Sequence, residues 1–437
     1  MKNENLLLSI PLSGEYLRLV ASFTENAALL FGLTAKQAQS VSLAAEEVFM
    51  HAVNFAPQAG PMEIRAEKGP YYAKYEFIFP AGALKLSSFN ITATISPEDQ
   101  ESLDSMGLLL ASRLVDLYEF ENLPGGRARL TLIKEKTYSP ADPSARLVAR
   151  ALASWSIRPP EEQSETRLLV NLVNRFYSDR DFADFMRFPG RVADMIQGGE
   201  CRAALAVGPT GLIGGGLLWR TRGPRTVEFY GPYLVGQPEK STMAEELLDF
   251  CLQDLARTNC LGLIGRFVPK ALPPGYFQKL GVLDILDPSG AWNAREANFR
   301  LLNEDLGGLV WCHPDLTAYL EKEYERLALP REIQPLKKDV RSEAGASVIS
   351  SQLNQTRKSV NLRPALSGKD IEKNLKAHLD LFKHEGVRMV FFEMDLGSAW
   401  QSEFTPALLA GGFKPRVILP YAGQKDIVVF QLEKDQA

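Results

Sequence analysis

The chain reads as an α+β protein of about three compact units, and three observations predict it. Its 437 residues, at roughly 150 per domain, suffice for three cores that need no disulfide or metal staple. Apolar residues recur at helical spacing in some windows and alternate with polar ones in others, so helices and half-covered strands occur along the whole length. Between Lys134 and Leu147 (KEKTYSPADPSARL) the periodicity fails at two prolines and a charge run, which marks a linker. The expected units are 1–136, a linker 137–147, then 148–290 and 291–437. The last boundary is drawn at the weaker break LDPSGAWN (Leu286 to Asn293), with a further irregular zone from about Arg331 to Gly345.

Composition excludes some functions. There are 49 basic and 53 acidic side chains, a net charge of -4, which is not the basic surplus a phosphate backbone requires, so nucleic acid is not an expected partner. The opening MKNENLLLSIPLSGEY has an apolar run too short for a signal peptide. The segment Ala204 to Trp219 is broken by Pro209 and five glycines, which excludes it as a membrane span, so a soluble, cytoplasmic protein is expected. Cys201, Cys251, Cys260 and Cys312 lack any CxxC spacing and read as buried thiols. No metal site is expected: Cys312 and His313 are adjacent, and His378 and His384 lie on a charged helix. The glycines of GLIGGGLLW run into a strand, not a helix, and no GxSxG elbow occurs.

In the first unit an early strand precedes a helix in SIPLSGEYLRLVASFTENAALLFGL. Thr34 then caps a helix that ends before Pro57, MEIRAEKG and AKYEFIFPAGAL alternate as strands, and SMGLLLASRLVDLYEFENLPGGRARLTLIKE gives a helix, a Gly-Gly turn and a closing strand. Helices over one mixed sheet are expected. LAAEEVFMHAVNFA, FIFPAGAL and the glycine-opened MGLLLASRL segment resemble the anti-sigma-factor type of histidine-kinase-like ATPase domain. The resemblance implies an α/β sandwich that binds ATP with Mg²⁺. Glu47 stands at the family's general base, His51 replaces its Mg²⁺-binding Asn, Pro80 replaces its adenine-reading Asp beside Gly82, and Gly107 opens the phosphate lid. Glu47, His51 and Asn54, spaced i, i+4, i+7, share one face of their helix.

The middle unit begins with a strand ending at Arg158-Pro159, helices over Glu162 to Phe176 and near Pro189 to Gln197, and two strands joined by GPTG. It continues through TVEFYGPYLVGQPEKSTMAEELLDFCLQDLARTNCLGLIGRFVPKALPPGYFQKLGV as strand, loop, helix, strand and short helix. This resembles the GNAT N-acetyltransferase superfamily, a mixed α/β fold with a splayed strand pair. It implies that acetyl-CoA or another acyl-CoA is held by backbone amides where the loop GQPEKSTMA enters a helix, at Lys240, Ser241, Thr242 and Met243. Thr242 and Glu245 read as a capping box there. Phe277 occupies the place of the family's usual Tyr acid, which leaves Tyr276 beside it as the candidate proton donor and Glu228 on the central strand as a base acting through water.

The last unit reads as a helix (HPDLTAYLEKEYERLAL), a strand (ASVISSQLNQTRKSVNLRP), a helix opened by Ser367 and Asp370, then strand, short helix, GGF and a strand pair. It resembles a second GNAT half. Two functions follow from these resemblances. One is a regulatory N-acyltransferase whose first unit senses a nucleotide or a regulatory protein. The other is a non-catalytic partner-switching or scaffold protein that has lost both phosphate sites. Acyl acceptor, partner and oligomeric state are not legible.

Overall fold

The computed structural model describes residues 5–55, 60–80, 86–92, 100–142, 147–238, 241–287, 289–336 and 345–434. Its first unit runs β1 (Asn5–Pro11), α1 (Leu17–Leu30), α2 (Ala35–Phe55), β2 (Pro61–Lys68), β3 (Tyr72–Pro80), α3 (Gln100–Leu114), β4 (Leu117–Leu123) and β5 (Arg127–Glu135). α2 opens on a reciprocal cap: Gln37 N donates to Thr34 Oγ1 at 3.3 Å and Thr34 N to Gln37 Oε1 at 3.0 Å. The face of α2 bearing Ala45, Val48, Phe49 and Ala52 is buried, in one core with Ile64, Tyr75 and Phe77 of the sheet.

That sheet, in the order β1-β2-β3-β5-β4, is antiparallel at every pairing, which corrects the expected mixed sheet. A strand is also gained, since LYEFENL is β4, joined to β5 by a tight turn in which Gly125 and Gly126 both adopt positive φ. Only Phe120 of β4 is buried, so this edge strand carries no alternation that a sequence reading could detect.

The middle unit contains β6 (Ser156–Arg158), α4 (Gln163–Phe176), α5 (Pro189–Gln197), β7 (Arg202–Val207), β8 (Ile213–Gly223), β9 (Thr226–Leu234), α6 (Met243–Leu255), β10 (Gly262–Phe267), β11 (Gln278–Leu286) and β12 (Trp292–Leu301). They form one seven-stranded sheet, β11-β12-β10-β9-β8-β7-β6, with β9 and β10 parallel and all other neighbours antiparallel. Alternation along the central strands divides two cores. Leu218, Tyr230 and Tyr233 meet α4 and α5, while Leu217, Trp219 and Phe229 meet α6.

Two expectations fail here. The short helix before KLGV is absent because Pro269, Pro273, Pro274 and Gly275 break it, and QKLGVLDIL is strand β11. The break at LDPSGAWN is the β11–β12 hairpin turn, so β12, beyond residue 290, pairs within the middle sheet.

The last unit has β13 (Gly308–Cys312), α7 (Pro314–Leu327) and β14 (Arg331–Pro335), then β15 (Val348–Asn354), β16 (Ser359–Leu366), α8 (Ile371–His384), β17 (Met389–Asp395), α9 (Thr405–Ala410), β18 (Phe413–Leu419) and β19 (Ile427–Leu432). The single strand expected between Ala346 and Pro364 is the β15–β16 hairpin. Its sheet, β15-β16-β17-β19-β18, repeats β8-β9-β10-β12-β11 strand for strand, including one parallel pair, β16–β17, with a helix in the crossover.

The two sheets meet at β11 and β18. Gly281 lies against the Arg416 carbonyl, and the Gln431 amide bridges Asp284, accepting from its N–H at 2.9 Å and donating to its C=O at 2.6 Å. Asn90 joins the first unit to the last. Its side chain donates to Ser347 O at 2.9 Å and accepts from Ile349 N at 2.9 Å, and Asn374 Nδ2 donates to its Oδ1 at 3.1 Å.

Candidate functional site

The parallel pair at the centre of the middle sheet opens at one end. β10 ends at Phe267, opposite Tyr230, whereas β9 passes a bulge at Gly231-Pro232 and runs on to Leu234, with Tyr233 and Leu234 still paired to Gly216 and Gly215 of β8. The loop between α4 and α5 covers the extension, where Tyr233 Oη donates to Asp181 O at 3.1 Å. α6 begins beyond the same end.

At the start of α6 the expected capping box is not formed. Thr242 has helical dihedrals and its hydroxyl donates to Glu246 Oε1 at 2.9 Å, while Ser241 Oγ accepts from Met243 N at 3.3 Å. The cap has therefore moved one residue towards the N-terminus, and Glu246 is also engaged by Trp155 Nε1 at 2.9 Å. Met243 itself is buried against the sheet, beside Gly215. Lys240 lies outside the described residues. The Met243 amide is thus taken by Ser241 Oγ and the Thr242 hydroxyl by Glu246, so a phosphate placed here would meet the Ser241 hydroxyl and the helix start.

Glu228 and Tyr276 are not brought together. Glu228 is on the α4/α5 face and wholly buried. Arg266 Nε donates to its Oε1 at 2.7 Å, and Tyr230 Oη donates to its Oε2 at 3.0 Å. Burial opposes its ionisation, but the guanidinium groups of Arg266, Arg222 and Arg220 prevail and hold its carboxyl at about 2. Wholly buried and with both oxygens engaged by Arg266 and Tyr230, Glu228 is placed as a counter-ion and not as a base working through water, which corrects the expected role. Tyr276 packs under α6 on the opposite face with Phe277, whose ring stacks on Phe229 at 4.9 Å. Partial desolvation, then the Asp249 and Glu245 carboxylates, raise its phenol, and the Arg300 guanidinium lies 5.2 Å from its ring centre.

Glu228 belongs to a network that sequence reasoning missed. Glu393 on β17 accepts from Arg222 at 2.7 Å and from Arg363 at 2.6 Å, and Arg266 approaches it at 3.9 Å, so ion pairs join the two sheets. The sequence signal was a pair of arginines at alternating positions, Arg220 and Arg222, at the end of a strand whose first seven residues are buried.

In the first unit the Glu47 carboxylate lies against Gly107 of α3, and burial followed by Glu46 raises its carboxyl. His51 is buried between Phe55 and Phe89, with ring centres 4.6 and 5.6 Å away. Asn54 is exposed near the end of α2. The three share a helical face by angle, but α3 covers the first and Phe89 the second, so they do not form one site. Gly82 lies outside the described residues. An imidazole between two aromatic rings does not fit Mg²⁺, which takes hard oxygen donors. Among the described residues no group of three or more His, Cys, Asp or Glu could share a metal ion, and no helix is long and apolar enough to cross a membrane.

No family model and no curated protein matches the chain. Among solved structures, a GNAT superfamily phosphinothricin acetyltransferase from Sinorhizobium meliloti in complex with AcCoA is 16% identical, covering 35% of this chain and 90% of that one at a TM-score of 0.28. A spermidine N-acetyltransferase from Vibrio cholerae is also 16% identical, covering 34% and 95% at 0.27. The SiaB-SiaC complex from Pseudomonas aeruginosa is 15% identical, covering 30% and 88% at 0.22.

Proposed function

We propose that the middle unit is a GNAT-like, acyl-CoA-dependent N-acyltransferase and that the first unit serves it as a regulatory, protein-binding module. The observation that carries the reading is the opening of β9 from β10 beyond Tyr230 and Phe267, next to the start of α6. An extended ligand laid beside the end of β9, where Tyr177 Oη holds both the N–H and the C=O of Leu234, would direct its phosphates to the helix start at Ser241. Acyl-CoA would supply an activated acyl carbon and a thiol leaving group.

On the protein's side, the raised phenol of Tyr276 holds its proton near neutrality and is the donor available on the α6 face. Glu228 keeps the cleft rigid through Arg266 and takes no proton. The amine loses its proton to solvent in this reading.

Acetyl-CoA at a hundredfold excess over its Kd should raise stability by about 2.7 kcal/mol. Tyr276→Phe should lower kcat at least about 10²-fold while leaving that shift intact. No stabilisation by acetyl-CoA or CoA would remove the reading. A second reading, a non-catalytic partner-switching scaffold, is favoured by Asn90. The first unit inserts it beside the start of α8, where the repeated sheet would otherwise offer a second helix terminus.

A further inference from the structure

The tip of the β15–β16 hairpin, from the last unit, reaches the loop that covers the opened end of β9. Arg357 is seated in a cage made by that loop and by the last residue of β10. Its Nε donates to Asp184 Oδ1, its Nη2 donates to Asp179 O at 2.9 Å and Phe182 O at 2.8 Å, and its guanidinium lies 5.5 Å from the centre of the Phe267 ring. Asn354 Nδ2 fastens the same tip to Asp184 Oδ2 at 2.5 Å. The neighbouring carbonyls are also occupied: Arg180 O accepts from Arg295 at 2.6 Å and Asp181 O from Tyr233. The loop thus turns a row of acceptors and one carboxylate towards the mouth of the cleft, and an aromatic ring closes the cage. This is the chemistry that recognises a planar cation.

We propose that this cage is the acceptor's cation subsite and that Arg357 is an internal occupant of it, so that the cleft takes an amine whose far end is a guanidinium and admits it when the hairpin tip withdraws. The inference rests on the acyltransferase reading only for the acylation step. Transfer would form a bond from the acceptor nitrogen to the acyl carbon and break the carbon–sulfur bond, with one proton leaving the amine and one reaching the thiolate.

Agmatine, which carries a guanidinium at one end and a primary amine at the other, is the probe. By calorimetry on the full chain, Arg357→Ala should bind agmatine at one site, at least tenfold more tightly than the wild type does. The double variant Arg357→Ala/Asp184→Asn should lose that gain. Arg158→Ala, which vacates a bidentate pair with Glu165 remote from the cleft, is the control for any emptied arginine site and should show none. Should Arg357→Ala not fold, Asn354→Ala loosens the same tip and should give a smaller gain in the same direction. Agmatine binding by neither tip variant, or equally by the Arg158 variant, overturns the proposal. Binding without release of CoA thiol from acetyl-CoA leaves the cation subsite standing and counts against the acyltransferase reading instead.

Discussion

Arg266 grips Glu228 with two donors, Nε at 2.7 Å and Nη2 at 3.1 Å, across the parallel pair of strands at the centre of the middle sheet. The pair decides what Glu228 can do. A carboxylate whose oxygens are held by a guanidinium and a tyrosine hydroxyl is a structural anion, and its removal should be felt in folding before it is felt in any reaction.

Glu228→Gln should therefore lower stability by about 3–5 kcal/mol, because Arg266 keeps its charge inside the sheet without its main counter-ion. Replacing both partners by apolar residues, Glu228→Leu with Arg266→Met, should recover much of the loss. Urea unfolding of the wild type and the two variants checks this, and a Glu228→Gln protein within about 0.5 kcal/mol of wild type would contradict it.

Acid should unfold the protein in two overlapping stages. His378 is buried on α8, its Nδ1 at 2.9 Å from Asn374 O, and burial lowers its pKa from 6.5 to about 4. Glu228 is lowered from 4.5 to about 2. Both groups bind a proton less readily when folded, so the unfolded chain takes up protons first and stability falls as pH falls. The histidine contribution is complete above pH 6.5 and is lost towards 4, and the glutamate contribution is complete above 4.5 and lost towards 2. His378→Leu should flatten the upper stage by up to about 1.4 kcal/mol per pH unit and leave the lower one, as read by urea midpoints across that range.

Asn90→Ala should loosen the first unit from the last. It strands the Ile349 amide and weakens the support of Ser347 O, for about 2 kcal/mol or more. Hydrogen exchange at the Ile349 amide should accelerate more than exchange within β2 and β3. Uniform acceleration across both units would mean that they unfold as one.

Gly281→Ala should push β11 away from β18, since an added methyl meets the Arg416 backbone and not a flexible side chain. A loss of about 1–3 kcal/mol is expected, and a fall in melting temperature reads it. Because the added methyl meets Arg416 and Val417 and not the start of α6, acetyl-CoA binding should survive this change if the proposed function holds.

Much of the architecture was legible because it depends on local pattern. α5 begins at Pro189, α2 is capped by Thr34, and the parallel β9–β10 crossover follows from strand, helix, strand in order. What escaped were elements whose pattern is local but weak, such as β4 with one buried residue, and elements whose type depends on a distant partner, such as β11, which only its pairing with β12 makes a strand. The candidate site was legible by residue type and not by side. Glu228 and Tyr276 were both singled out, and the sheet separates them.

The sequence alone determined the periodicity, the caps and the proline breaks, since each is an interaction among residues a few positions apart. Only the tertiary structure decided which charges meet. Glu228 with Arg266, Glu393 with Arg222 and Arg357 with Asp184 lie 38, 171 and 173 positions apart. Whether a buried carboxylate serves as a base or as a counter-ion is set by whichever cation folding brings beside it.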